Sequence, residues 1–190
     1  MSDVSRFPVV ELEDLPEDLR ARVGVIAEKS GFTPNIFRAL GHRPAELRAF
    51  LDYHDALMER SDGLSKAERE LVVVATSGAN HCTYCVVAHG AILRIRAKDP
   101  ELADRVSSNP WQVELDERGR AIVDLALALA RESALFGEGD IEAARNAGLT
   151  DDEIWDVGAI TALFAMSNRL AHLTALRPNP EFFLLGRVPR

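Results

Sequence analysis

From about residue 17 onward, apolar residues recur three and four positions apart, and turn residues interrupt the pattern at short intervals. That spacing puts them on one face of successive helices, because an α-helix turns once per about 3.6 residues. No run alternates apolar and polar residues in the way a half-buried strand does. The pattern predicts an all-α fold preceded by an extended arm around Phe7-Pro8-Val9-Val10. Pro16, Pro34 and Pro44 suit first-turn positions, where a missing N–H is no loss. They open helices, the first running through Lys29 and the third to about Arg60, and Gly31, Gly41 and Gly63 mark the ends.

Downstream, Leu64-Ser65-Lys66-Ala67-Glu68 has the form of a capping box, in which Ser65 and Glu68 satisfy each other's backbone N–H groups. It predicts a helix over about 66–77, broken by Gly78-Ala79-Asn80, and a second over about 82–97 with Asn80 or His81 as its cap. After a polar link containing Asn109-Pro110, helices are predicted over about 116–133 and 140–147, the latter ending at Gly148. Thr150-Asp151-Asp152-Glu153 repeats the capping box and opens a last helix to about Leu176. The two similar starts hint at two related helical halves. The tail RPNPEFFLLGRVPR, with three prolines, is expected to be extended, and its Phe182-Phe183 pair needs a surface to pack on. The expected layout is a single domain over 1–190: a helical part (1–63), a core hairpin (64–97), a second helical part (98–176) and the tail (177–190).

A chain of 190 residues buries a core without disulfide or metal staples. With 22 basic and 30 acidic residues the net charge is -8, and Lys and Arg never cluster beyond two. Nucleic acid and anionic membrane surfaces are therefore poor partners. No leader pattern and no membrane-length apolar run is present, so the expected compartment is the cytoplasm, where a CxxC pair is redox-active or metal-binding rather than a permanent disulfide.

Both cysteines lie in HCTYCVVAH, residues 81–89. On a helix, Cys82 and Cys85 are about 60° apart around the axis and His89 projects between them, a face that continues through Ile92 and Arg96. A thiol in the first turn of a helix is stabilised as thiolate by unpaired N–H groups and the helix dipole. If the two helices form an antiparallel hairpin about Asn80, Glu70 lies ten residues before the turn and His89 nine after it, so carboxylate and imidazole meet. Such a pair holds the imidazole tautomer and lets His89 take a proton from a cysteine one turn away. Two thiols, a base and an orienting carboxylate make a thiol redox site: one cysteine attacks an electrophile and becomes sulfenic acid, and the other condenses with it. Helical positions three apart separate Cβ atoms by about 5–6 Å, which predicts an easily reduced disulfide.

The spacing of Glu70, Cys82-Thr83-Tyr84-Cys85 and His89 resembles the active-site signature of the alkyl hydroperoxidase D (AhpD) family, within the carboxymuconolactone decarboxylase-like superfamily. The layout, with LSKAERELVVVATSGANHCTYCVVAHG as core and SNRLAHLTALRPNPEFF near the end, looks closest to its peroxidase-related branch. The resemblance implies an all-helical bundle with the CxxC at the start of a core helix, assembled as a homo-oligomer (trimer or hexamer). It implies a peroxidase in which Cys85 attacks the hydroperoxide, Cys82 is proton donor and resolving thiol, and Glu70 and His89 form the proton relay. The disulfide would be reduced by a dithiol, dihydrolipoamide-type in AhpD itself, and no metal or flavin is implied. AhpD proper has a histidine where this chain has Tyr84.

Other readings remain beside this one. The same disulfide serves a thiol–disulfide oxidoreductase without peroxide specificity, and the cluster could be a non-enzymatic redox sensor or metal-binding module. A zinc site from Cys82, Cys85 and His89 or His81 lacks the second knuckle of closed sites. Carboxymuconolactone decarboxylation does not call for a CxxC. His42, His54 and His172 have no partner nearby in sequence, Trp111 and Trp155 are expected as packing anchors, and Tyr84 as a packing residue. Asn168-Arg169 is expected as a buried polar or interface pair.

Overall fold

The structure, a computed structural model, describes residues 3–187. Helices α1 (Glu17–Ser30), α2 (Asn35–Leu40) and α3 (Pro44–Met58) form the N-terminal part. They are followed by α4 (Lys66–Ala79), α5 (Thr83–Ala97), α6 (Leu102–Ser108), α7 (Glu117–Glu132), α8 (Glu138–Asn146) and α9 (Asp151–Thr174). No strand occurs among the described residues. The fold is therefore all-α, and α4 is its centre, packed against α5, α6, α7 and α9.

Local chemistry sets most boundaries. Both capping boxes form: Ser65 with Glu68 at the head of α4, and Thr150 with Glu153 at the head of α9. Arg118 joins them, its Nε 2.6 Å from Glu68 and its Nη2 2.6 Å from Glu153. The starts of α4 and α9 are thus tied to one cation of α7, which fixes where the two helices lie side by side. Inside, Arg69 is wholly buried and donates to Asp156 and to the Leu57 and Asp62 carbonyls. A buried guanidinium is tolerated because those acceptors replace its water.

Several expectations need correction. Gly78 and Ala79 do not break α4 but belong to it. A Cβ on Gly78 would lie 3.0 Å from the Ser107 backbone, so this glycine permits close approach of α6. The chain turns instead at His81, whose φ of 54° is left-handed, and Cys82, not Asn80 or His81, is the N-cap of α5. The link before Asn109 also contains a helix, α6, which buries Ala103 and Val106. Asp99 starts it by accepting the Glu101 and Leu102 N–H groups.

The tail turns rather than staying extended, with a 3-10 turn at Pro180–Phe183. Phe182 is buried edge-on against Phe32, with ring centroids 4.8 Å apart. Arg94 of α5 holds the turn through the Phe182 and Leu185 carbonyls, both at 3.0 Å. Phe183 faces solvent, and residues 188–190 of the expected tail lie outside the described residues. Trp111 and Trp155 are exposed rather than packed inside. Trp155 begins an outward stripe on α9 with Ala162, Met166 and Leu173.

Candidate active site

The α4–α5 hairpin builds the site. After Thr76 and Gly78 accept the Asn80 and His81 N–H groups, Ser77 accepts that of Cys82 at 2.9 Å. This tight corner brings the buried length of α4 alongside the start of α5. Glu70 and His89 meet across it, Glu70 Oε2 to His89 Nδ1 at 2.8 Å. Glu70 is 2% exposed, so its charge depends on this partner and on Arg96, whose Nη1 is 3.8 Å from Oε1. A carboxylate only accepts, so Nδ1 carries a proton and Nε2 is the nitrogen free to exchange one. Phe164 of α9 stands edge-to-face on the imidazole, centroids 4.6 Å apart, and fixes the ring plane.

Cys82 and Cys85 are free thiols, each 1% exposed. Cys82 makes no regular side-chain cap, but the Cys85 thiol donates to its sulfur, and the Cys85 backbone N–H, the charge of His172 and the Asn168 amide act in the same direction. Together they outweigh burial and lower the Cys82 thiol to about 6. The Cys85 thiol is pushed well above its ordinary value, first by the bond to Cys82 and then by burial. The two thiols therefore titrate as an interacting pair, which loses its first proton more readily than an isolated thiol. His89 is the part of this constellation that solvent touches, its side chain 15% exposed.

All four expected residues therefore gather at one hairpin. Tyr84, expected as a packing residue, is buried, and its hydroxyl accepts the Ile36 N–H at 3.0 Å. His81 is exposed at the corner. The polar groups acting on the sulfurs from outside the hairpin come from α9: Ser167, Asn168 and His172. Sequence reasoning left all three without a role at the thiols. The available signal was the adjacency of Ser167 and Asn168 in an apolar helix, where polar side chains need buried partners. Among the described residues no group of three or more His, Cys, Asp or Glu side chains is arranged to hold a metal ion.

Comparisons with known proteins bear on the family and the fold. The carboxymuconolactone decarboxylase family profile matches residues 44–107, the span of α3 through most of α6. An alkylhydroperoxidase AhpD core, peroxidase-related protein of Ralstonia eutropha JMP134 is 53% identical, each chain covering 100% of the other, with a TM-score of 0.96. A peroxidase-related protein of Silicibacter sp. TM1040 is 35% identical over 98% of this chain and 100% of its own, with a TM-score of 0.89. The debrominase Bmp8, at 17% identity over 98% of this chain and 97% of its own, with a TM-score of 0.77, shares the fold. No curated protein matches the chain.

Proposed function

The chain belongs to the AhpD-like, peroxidase-related proteins of the carboxymuconolactone decarboxylase superfamily, and on that premise we propose that it is a thiol-dependent peroxidase. It reduces hydroperoxides through a Cys82/Cys85 redox disulfide, with Glu70 and His89 as proton relay. The observation that carries this reading is the 2.8 Å Glu70–His89 bond on the same hairpin as two free, buried thiols.

The resting charge suggests the order of events. As the Cys85 sulfur attacks the outer peroxide oxygen, Cys82 takes the Cys85 proton. The O–O bond breaks, Cys85 becomes sulfenic acid, and the proton passes from Cys82 to the departing alkoxide, which leaves as an alcohol. Cys82, again a thiolate, attacks the Cys85 sulfur; the S–O bond breaks and hydroxide leaves as water with a proton from His89. His89 is resupplied from solvent while Glu70 holds its tautomer. A dithiol, of the dihydrolipoamide type or another, then reduces the disulfide and is itself oxidised. The sum is hydroperoxide plus dithiol giving alcohol, water and a donor disulfide.

Burial limits what can reach the thiols. Exchange needs in-line approach of one sulfur to another, and at 1% exposure only a small molecule or a slender arm reaches the pair, a condition that the reducing dithiol must also meet. A reducing cytoplasm is the compartment such a cycle requires, and no helix among the described residues is long and apolar enough to cross a membrane. The outward stripe of Trp155, Ala162, Met166 and Leu173, spaced seven, four and seven residues apart with Arg169 at its edge, supports a homo-oligomer as an exposed and largely apolar helix face.

Hydroperoxide consumption with a panel of dithiols tests the proposal. Wild type should turn over, Cys85→Ser should not, and Cys82→Ser should stop after one turnover with a sulfenic acid that a dimedone probe captures. Wild-type protein that cycles its disulfide with thiols yet consumes no hydroperoxide would refute it.

A further inference from the structure

Glu70 has a side chain only 3% exposed, and it meets two cations of different kinds. Oε2 lies 2.8 Å from His89 Nδ1, and Oε1 lies 3.8 Å from Arg96 Nη1. His89 is a cation only while both ring nitrogens carry protons, whereas a guanidinium stays charged at every working pH. Among the described residues no other cation comes within ion-pair distance of Glu70.

Arg96 stands two turns beyond His89 on the same face of α5, and its fork is held at the rim of the hairpin. Nη1 also donates to the Lys66 carbonyl at 3.5 Å, and Nη2 is 3.7 Å from Glu59 Oε1. Glu59 already has Lys66 Nζ at 2.8 Å, so it does not depend on Arg96 for a partner. Glu70 does. The neighbouring helices add little that competes. Beside Glu59, α3 brings His54, whose charge acts on Glu59 and whose ring is 6.4 Å from that of Phe164. The face that α9 turns to His89 is the apolar Phe164 ring.

When His89 gives up its Nε2 proton, the Glu70–His89 pair passes from neutral to a buried negative charge, and Arg96 is the cation that compensates it. Without that cation the pair would retain the proton in one of two forms. One is an imidazolium beside a carboxylate, and the other is a protonated Glu70 beside an imidazole with its hydrogen on Nε2. Both leave Nε2 occupied. We propose that Arg96 is a positioning residue of the relay: by holding Glu70 as a carboxylate it keeps the hydrogen on Nδ1 and leaves Nε2 free to exchange a proton. The proposal rests on the peroxidase reading only for what that proton serves.

The test reads the imidazole itself. Reduced protein carrying nitrogen-15 histidine is compared at one fixed pH of about 8 as wild type, Arg96→Met, Arg96→Gln and Arg96→Lys, with His89→Gln to assign the signal and hydroperoxide turnover followed beside it. Loss of one charge at this range, discounted for its partial exposure, should raise the ratio of hydrogen-bearing to bare Nε2 about tenfold in the two neutral variants. Arg96→Lys keeps the charge and should stay within about threefold of wild type. Arg96 is partly exposed in the last turn of α5, so these changes empty no core space, and circular dichroism identifies folded protein. A folded neutral variant whose Nε2 signal matches wild type overturns the proposal, whatever happens to its turnover, and so does Arg96→Lys behaving like Arg96→Met. A raised ratio in a protein whose wild type consumes no hydroperoxide would instead uphold Arg96 and refute the peroxidase.

Discussion

Acidifying the reduced protein from pH 7 to pH 5 should remove most of its reactive thiolate, and the size of the loss follows from the resting charge. The Cys82 thiol is lowered to about 6, chiefly by the Cys85 thiol that donates to it. The charged form is the favoured one, so reactivity is full above that value and lost as pH falls through it. About nine-tenths of the pair is ionised at pH 7 and about one-tenth at pH 5, a roughly ninefold change with a plateau above pH 7. An ordinary thiol near 9 would instead gain about tenfold per pH unit up to pH 8, with only about one per cent ionised at pH 7. Single-turnover oxidation by a small hydroperoxide, read as loss of free thiol in rapid mixing, gives the profile directly. Cys85→Ala removes the largest favourable contact and should carry the remaining thiol back toward its ordinary range. Cys82→Ala leaves Cys85 buried without its partner and should show little thiolate at pH 7. A wild-type rate that climbs without a plateau through pH 8 would refute the account of the thiols as an interacting pair.

Three further outcomes are expected. Glu70→Gln removes the charge from the 2.8 Å bond to His89 and frees the imidazole tautomer, so turnover should fall by about a hundredfold with the thiolate midpoint little changed; activity within threefold of wild type would argue against the relay. Phe182→Ala empties the place of a buried ring that meets Phe32 at 4.8 Å and should cost about 3 kcal/mol in urea unfolding, whereas a cost under about 1 kcal/mol would mean the tail turn contributes little. Trp155→Glu puts a charge on the exposed stripe of α9 and should reduce the sedimenting mass toward that of one chain; an unchanged mass would place the interface elsewhere.

The capping boxes and the Glu70–His89 pairing were legible because each is set by counting along the chain. A residue and its third successor at a helix start are neighbours in any helix. Two helices joined by a tight corner must face each other at equal distances from it. Gly78 was misread because it answers to Ser107, a neighbour that no local rule reveals, whereas the Asp99 cap that starts α6 was a local signal passed over. The tryptophans were expected as packing anchors, but α9 is apolar around much of its surface, and which strip is covered, and so whether Trp155 packs, depends on where the neighbouring helices lie.

The sequence by itself determined the helical class, the starts of α4 and α9, and the placing of Glu70, Cys82, Cys85 and His89 on one hairpin, all consequences of short-range geometry along the chain. Only the tertiary structure decided which groups of α9 surround the thiols. Spacing along the hairpin cannot reveal His172 or Asn168, which face the pair from α9. Both come from a helix more than eighty residues further along the chain, and electrostatic interaction depends on distance in space, not on separation in sequence.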